Sequence, residues 1–590
     1  MRELVLTGHK DLWPVNEEQS LFLGAHCFCY NHKYEFHEQE NFQIAPSPWK
    51  SAQDILDASL YIDELYDRII PEIACFMNSL YGVSYSEKFW SVYMALWLYQ
   101  WLGIAYDRYR RLEYVGESIK ERFVVKILDE RDKCDDYDPA VTNAQGPILK
   151  LIYSHYHNLI LMSDIIDHAR FDFLDYKKVS VLPEAAAVNK KLNLKSSVKN
   201  FLPSSKESIK NCLNNFFVSS VFFGTIYGLS LKDKLYLQFL RDPALLFKKR
   251  FVTSVKVNKV TRNDLNNARL DFGAKNRFER IVKEIILRHI PDAVLMLDKF
   301  CAAIYPDIKL WMGNDIYMSQ KKCFEIASVL ERGGRWISSQ HGACYGQSLS
   351  FPIGKIEYES AGEFITWGWK YNHIYNAAFY ALPSPMLSKL KKHKERENSI
   401  IFAGGMVPSY KYRLESFLNP GPLINYIRSR SIFLEHLEKG ILKKIKYKSY
   451  PDNFGAKETE LVEKMLPKDQ ILTGGRLTSF FSRTRLAVID HPGTSLLEAL
   501  AMNTPTIIYW DPAHFVFCKD AEPFFKRLRD AGILFDDPQG AAKKVNEIWA
   551  DVLGWWSDPD IQRVKNDFCF HFARSQADWR NEWARFVKNL

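Results

Sequence analysis

Asp490-His491-Pro492-Gly493-Thr494-Ser495-Leu496-Leu497-Glu498-Ala499-Leu500, continued by Ala501-Met502-Asn503-Thr504-Pro505-Thr506-Ile507-Ile508-Tyr509, is the stretch from which the fold is read. Val488-Ile489 ends an apolar run ahead of it and Pro492-Gly493 breaks that run. Ser495 to Met502 can wind as two helical turns, and Thr504-Pro505 opens another β-branched strand. Strand, glycine turn, helix and strand put the turn at the carboxyl end of one strand and the amino end of a helix. In an open α/β sheet ligands bind there, and free backbone N–H groups with the helix dipole favour a phosphate. Thr494 and Ser495 add hydroxyls, His491 a cationic donor, and Glu498 a carboxylate able to grip ribose hydroxyls. The plainer alternative is a capped α/β turn with Thr494 as its N-cap.

The pattern continues on both sides. Strands are expected at Ser399–Gly404, Lys444–Tyr450, Gln470–Thr473, Leu486–Asp490, Thr504–Trp510 and Gly532–Phe535. Helical patterns lie between them at Leu414–Leu437, Glu458–Met465, Leu477–Thr484 and Ser495–Met502. Strands alternating with helices imply a parallel sheet with right-handed crossovers, hence a Rossmann-like domain over about 399–545. The charged, Pro-containing stretch 383–398 reads as the linker into it. Upstream, Leu4–Thr7 and Ser20–Gly24 are strand-like, a helical region spans about 50–290, and strands return at Ile308–Met312, Arg335–Ser338 and Glu363–Trp367. One sheet assembled from both ends of a long helical insertion is the expectation for 1–382, with aromatic-rich helices at 546–590 crossing back to cover it.

With 590 residues the chain is too long for one core. Its 47% hydrophobic and 25% charged fractions are those of a folded globular protein. Ten cysteines, with Cys27-x-Cys29 the only close pair and no CxxC, point to neither a disulfide framework nor a zinc site. The acidic, weakly apolar Met1–Thr7 does not read as a signal peptide. Phe89–Tyr106 is 18 residues without a charge, which meets the length of a membrane span. Ser91, Gln100 and the tyrosines dilute it, so a buried helix is expected instead.

The net charge of +9 is uneven: Lys190 to Arg262 hold fifteen Lys and Arg against Glu207, Asp233 and Asp242. Leucines and aromatics interleave with these cations, a pattern able to lie on an anionic membrane surface or simply to form a solvated face. No zinc-finger, RNA-recognition or helix-turn-helix pattern accompanies them, so a nucleic-acid partner is not expected.

Two Rossmann-like domains facing a cleft, with a C-terminal helix returning to the first, resemble the GT-B glycosyltransferase architecture. Gln340-His341-Gly342 with Tyr345-Gly346, followed by Glu363-Phe-Ile-Thr366-Trp367-Gly368-Trp369, resembles the signature of a leptospiral-type family of surface-polysaccharide transferases encoded in bacterial O-antigen clusters. Asp11-Leu12-Trp13-Pro14, Leu21-Phe22-Leu23-Gly24 and Glu498 with Pro505-Thr506 extend the resemblance. Two departures stand out: Ala343 replaces a second glycine, and Ala25-His26 replaces an acidic-aromatic pair after Gly24. Asp490-His491-Pro492 with Thr494-Ser495 is similar to the His-Pro and Ser/Thr arrangement by which bacterial sialyl- and Kdo-transferases hold a CMP-sugar.

The resemblance implies a glycosyltransferase with a nucleotide sugar, CMP-activated Kdo or another nonulosonic acid, as donor and a lipid-linked or growing glycan as acceptor. It would work in the cytoplasm, peripherally on the inner face of the membrane. A UDP- or GDP-sugar or CDP-polyol transferase, or a non-catalytic glycan-binding scaffold, are the alternatives. The nucleotide and phosphate group is expected at His491, Pro492, Gly493, Thr494, Ser495 and Glu498, with Lys411 and Arg413 auxiliary. Gln340, His341, Gly342, Tyr345 and Trp367 are expected on the opposite wall, His341 as general base or hydrogen-bond donor and Trp367 stacking on a sugar. Asp315 and Glu359 are the candidate carboxylates for base or nucleophile. Asp136-Tyr137-Asp138 and Asp558-Pro559-Asp560 follow no strand and read as solvated loops, so neither a metal nor another cofactor is expected.

Overall fold

The computed structural model describes residues 1–28, 42–129, 146–182, 217–218, 220–241, 246–247, 252–266, 268–349, 354–370, 372–391, 396–411, 413–414, 422–450 and 458–590. Asp136 and Asp138, and most of the cations between 190 and 262, including Lys248, Lys249 and Arg250, lie outside them.

Three five-stranded sheets organise the chain, and within each every neighbouring pair is parallel. The first holds β1 (Arg2–Val5), β2 (Leu21–Phe22), β3 (Gln43–Ile44), β4 (Phe123–Leu128) and β5 (Leu174–Val179), in the order β3-β2-β1-β4-β5. A small antiparallel ribbon pairs β6 (Phe217–Val218) with β8 (Leu246–Phe247). The second sheet begins at β7 (Val221–Phe223) and adds β9 (Leu310–Met312), β10 (Arg335–Ser339), β11 (Gly362–Thr366) and β12 (Ala378–Ala381), ordered β12-β11-β10-β9-β7. The third holds β13 (Glu397–Ala403), β14 (Ile445–Lys448), β15 (Thr484–Ile489), β16 (Thr506–Tyr509) and β17 (Leu534–Phe535), ordered β14-β13-β15-β16-β17.

The expected single upstream sheet is therefore corrected to two. β4 and β5 lie inside the region read as helical and extend the first sheet beyond β1. The strand at 310–312 pairs with β10 and with β7, which comes from the basic stretch. The expected strand at Gln470–Thr473 is reduced to a bridge between Ile471 and Tyr447.

Strand order decides where a ligand can enter. In the first sheet the order reverses between β1 and β4, and in the third between β13 and β15. Side-by-side strands whose connections leave in opposite directions open a crevice at their carboxyl ends. In the second sheet the strands follow one another in one direction and no such reversal occurs.

Two long helices join the first two sheets. α1 (Ala52–Tyr81) starts in a capping box, where Ser51 accepts the Asp54 N–H and Asp54 caps the Ser51 N–H. It stops at Gly82, whose φ of 65° only glycine adopts without strain. α2 (Glu87–Ser118) contains the uncharged run Phe89–Tyr106; Trp90, Trp97, Leu98, Trp101 and Leu102 are at most 1% exposed. Burial of each such leucine contributes about 1.5–3 kcal/mol, which accounts for the run as core. Among the described residues no helix is long and apolar enough to cross a membrane. At the other end, Trp579, Trp583 and Val587 of the helix Trp579–Lys588 pack against Leu310, Met312, Ile337 and Ile365 of the second sheet.

Candidate functional site

β15 is apolar because it is central in its sheet, and Asp490 is the first polar residue past its end. That carboxylate is completely buried. It accepts hydrogen bonds from Arg430 Nε at 2.6 Å, Tyr426 Oη at 2.9 Å and the Gly405 N–H at 2.9 Å. His491 Nδ1 lies 2.9 Å from the same Oδ1. Burial alone would raise the Asp490 carboxyl, but the Arg430 charge and the contact with His491 hold it down to about 2. An ionised Asp490 keeps the proton of His491 on Nδ1 and turns Nε2 outward, where it lies 2.9 Å from Ser495 Oγ. Gly405 and Gly493 wall the imidazole: a Cβ at either would stand 2.8 Å and 2.5 Å from its ring.

The helix that follows, Thr494–Ala501, is capped by Gly493 and not by Thr494, which corrects the plainer reading. The Leu496 N–H donates to the Gly493 carbonyl at 3.0 Å, while among the described residues the Thr494 and Ser495 N–H groups have no intrahelical acceptor. Thr494 Oγ1 instead accepts the Ala343 N–H at 3.1 Å, from the loop after β10. The crevice of the third sheet is thus closed on one side by the carboxyl end of the second. Glu498 is one turn further along the helix. Among the described residues its carboxylate has no hydrogen bond or ion pair, and burial raises it to about 7.

On the facing wall, Gln340 is an organiser: its Nε2 donates to the Gly342 carbonyl at 2.8 Å, and its Oε1 accepts the Trp367 N–H at 2.8 Å and Trp369 Nε1 at 2.9 Å. Gly342 packs against the turn: a Cβ there would stand 3.0 Å from Thr494 Oγ1 and press on that side chain. Cys344, two residues on, has a φ of 75°, local strain of the kind that collects at functional loops. His341 Nδ1 is 2.6 Å from Tyr345 Oη and 2.9 Å from Asn314 Nδ2. Burial, then the Arg413 charge, push this imidazole down to about 4, so it is neutral near pH 7. Asn314 Nδ2 can only donate, so Nδ1 accepts and the proton is assigned to Nε2.

Behind His341 is Glu357, completely buried on the π-helical segment Lys355–Ser360. Tyr345 Oη donates to it at 2.9 Å, Asn314 Nδ2 at 3.1 Å, and Tyr317 Oη also donates. Burial outweighs these three bonds and raises the Glu357 carboxyl to about 7.

The expected residues separate into two groups. His491, Pro492, Gly493, Thr494 and Ser495 share one turn, with Glu498 a helical turn beyond, and Gln340, His341, Gly342 and Tyr345 meet it from the second sheet. Arg413 acts electrostatically on His341 and Glu357. Lys411 does not join them; it is buried over the Trp49 ring at 5.6 Å, beside the first sheet. Trp367 is 3% exposed and belongs to the core, leaving no face for a sugar. Asp315 is 4% exposed and its oxygens accept the Thr225 N–H at 2.9 Å, Thr225 Oγ1 at 2.7 Å and Trp311 Nε1 at 2.8 Å, a structural assignment. Glu359 pairs with Lys355 at 2.7 Å on the other side of its segment. The residues not anticipated are Glu357, Asn314, Tyr317, Asp490 and Arg430. The only available signal for Glu357 was the alternation Glu357-Tyr358-Glu359, which does not say which acid faces inward.

The parallel α/β sheets bring strand ends, a helix N-terminus, an oriented histidine and a serine hydroxyl together at this crevice. Residues 2–587 match the family described as LIC12162 family transferase, and the chain belongs to that family of transferases. No curated protein matches the chain.

Proposed function

We propose that the group transferred is a sugar and that the chain is a GT-B type glycosyltransferase using a CMP-activated 2-keto-3-deoxy acid such as Kdo. The carrying observation is the Asp490–His491–Ser495 array at the start of the helix Thr494–Ala501, facing His341 across the Thr494–Ala343 contact. A departing nucleoside monophosphate develops negative charge on one phosphate. The Thr494 and Ser495 N–H groups and the Ser495 hydroxyl converge where that charge would form, with His491 orienting that hydroxyl. The nearest described guanidinium, Arg430, is committed to Asp490, so the array suits one phosphate better than two. Glu498 is a carboxylate without a partner, one turn away, suited to a ribose diol. His341, neutral with Nε2–H toward the crevice, donates to the sugar carboxylate.

The acceptor in this reading is a lipid-linked or growing surface glycan, and the excess cations of 190–262 support attachment to an anionic membrane surface. A thermal-shift panel of CMP, CDP, UDP, GDP and ADP on the wild type and His491→Ala tests the donor. CMP at a hundredfold over its dissociation constant should stabilise the wild type by about 2.7 kcal/mol and the variant much less. Preference for UDP or GDP would overturn the donor assignment, and silence toward every nucleotide would overturn the site.

A further inference from the structure

A second polar cluster is buried at the carboxyl ends of β1 and β2, where the nucleotide reading has no use for it. α2 brings Asp107, Arg108 and Arg111 there, respectively 1%, 1% and 4% exposed. Arg108 is fully employed: Nη1 donates to Asp107 Oδ2 at 2.6 Å and to the Lys411 carbonyl at 2.8 Å, and Nε to Asn158 Oδ1 at 2.9 Å. Arg111 is not. Its Nε donates to the same Asp107 Oδ2 at 2.9 Å, and this is its one hydrogen bond among the described residues. Its Nη2 is buried without a partner. Two guanidinium groups therefore share one carboxylate, whose second oxygen accepts Trp49 Nε1 at 2.7 Å.

Among the described residues Asp107 is the only carboxylate paired with either guanidinium. Asp107 is held well below the usual carboxylate range: burial would raise it, but Arg111 and Arg108, with Lys411, outweigh burial. His26, completely buried, is pushed well below its ordinary value by burial and then by Arg111, so it is neutral. Its Nε2 is 3.0 Å from the Leu6 carbonyl, and its ring lies 4.5 Å from that of Tyr410. Gly24, just past β2, lets the His26 ring pack beside the guanidinium: a Cβ there would stand 2.8 Å from His26 Nδ1 and 3.8 Å from Arg111 Nη1. A buried fork with unspent N–H donors, one of two guanidinium groups sharing a single carboxylate, is the arrangement that receives a carboxylate or phosphate.

We infer that the carboxyl end of the first sheet is a second anion site, in which Arg111 receives a carboxylate or phosphate oxyanion distinct from the nucleotide phosphate. The loop after β13 connects the two places. Gly405 packs on His491, Tyr410 reaches the cluster through His155 Nδ1 at 2.6 Å, and Arg413 acts on His341. If the transferase reading holds, an anionic group on the acceptor is the natural occupant. The site itself does not depend on that reading.

The test is made in the His491→Ala background, where the nucleotide turn is disabled, with inorganic phosphate, D-glucuronate and neutral methyl glucoside as probes in calorimetric titration. Phosphate or glucuronate should bind and methyl glucoside should not, and Arg111→Gln added to this background should weaken binding at least tenfold. Glucuronate binding alone would identify a carboxylate occupant, and phosphate binding alone a phosphate. Arg111→Lys keeps the charge next to Asp107 but loses the fork, and should also weaken binding. A normal CMP response of Arg111→Gln in the otherwise wild-type chain, or failing that unchanged circular dichroism, shows an intact fold. No binding of either anion, or equal binding by the folded Arg111 variants, would overturn the inference.

Discussion

Asp490→Asn keeps the volume of the side chain and removes its charge at the point where the nucleotide turn is anchored. Four donors converge on the two carboxylate oxygens. An asparagine offers one oxygen and turns an NH2 group toward the remaining donors. Arg430, itself completely buried, is left with an uncompensated charge. Removing one partner of a buried ion pair costs about 3–5 kcal/mol. In a chain with three sheets, global unfolding is a poor reporter, so hydrogen exchange read by mass spectrometry over 422–435 and 484–501 is the appropriate assay. At about 1.4 kcal/mol per decade, protection of the slowest amides should fall by roughly two to nearly four decades. Peptides of the first sheet should be unaffected. His491 also loses a charged acceptor, a bond of about 1.5–3 kcal/mol, so nucleotide affinity should fall roughly tenfold to a hundredfold. Adding Arg430→Met should recover part of the protection, because the stranded charge goes with it. Protection within tenfold of wild type in Asp490→Asn would refute the claim that this pair anchors the turn.

Glu357→Gln should change the pH dependence of stability. Burial raises the Glu357 carboxyl from 4.5 to about 7, so between those values the folded chain binds the proton more tightly than the unfolded one. Wild-type stability accordingly loses ground as pH rises through that window, and the variant lacks this slope. The melting temperature of the variant relative to wild type should climb from pH 5 to pH 8, and a parallel pair of curves would show that Glu357 is not desolvated. Asp315→Ala strands Trp311 Nε1 and the Thr225 N–H and should lower stability by roughly 2–4 kcal/mol. The nucleotide-induced shift should remain in the folded variant; its loss would return Asp315 to the reaction.

The turn at 490–495 was readable because every step in it is local. A β-branched run, a Pro-Gly break and a helical repeat follow one another within about twenty residues, and the chemistry of a helix N-terminus belongs to the backbone. The core role of Phe89–Tyr106 was readable for the same reason, from Ser91, Gln100 and the tyrosines that dilute it. The inward carboxylate was not. Glu357 and Glu359 are two residues apart, and only the π-helical winding of Lys355–Ser360 turns the first under His341 and the second toward Lys355. Lys411 and Arg413 are also two residues apart, yet one lies over Trp49 and the other beside Glu357.

The sequence by itself determined a parallel α/β protein with a strand, glycine turn and helix at Asp490–Ser495 and a histidine loop at Gln340–Tyr345, because alternation, breakers and caps act over a few residues. Only the tertiary structure decided that there are three sheets, that Thr494 meets Ala343, and that Arg111 is left with unspent donors beside Asp107. The physical reason is that strand partners are chosen by long-range packing: β1 pairs with β4 across α1 and α2, and β7 with β9 across a similar distance in the chain. A strand's own residues specify that it will pair but not with which neighbour. The unspent donor of Arg111 exists only once α2 has been laid across the ends of the first sheet.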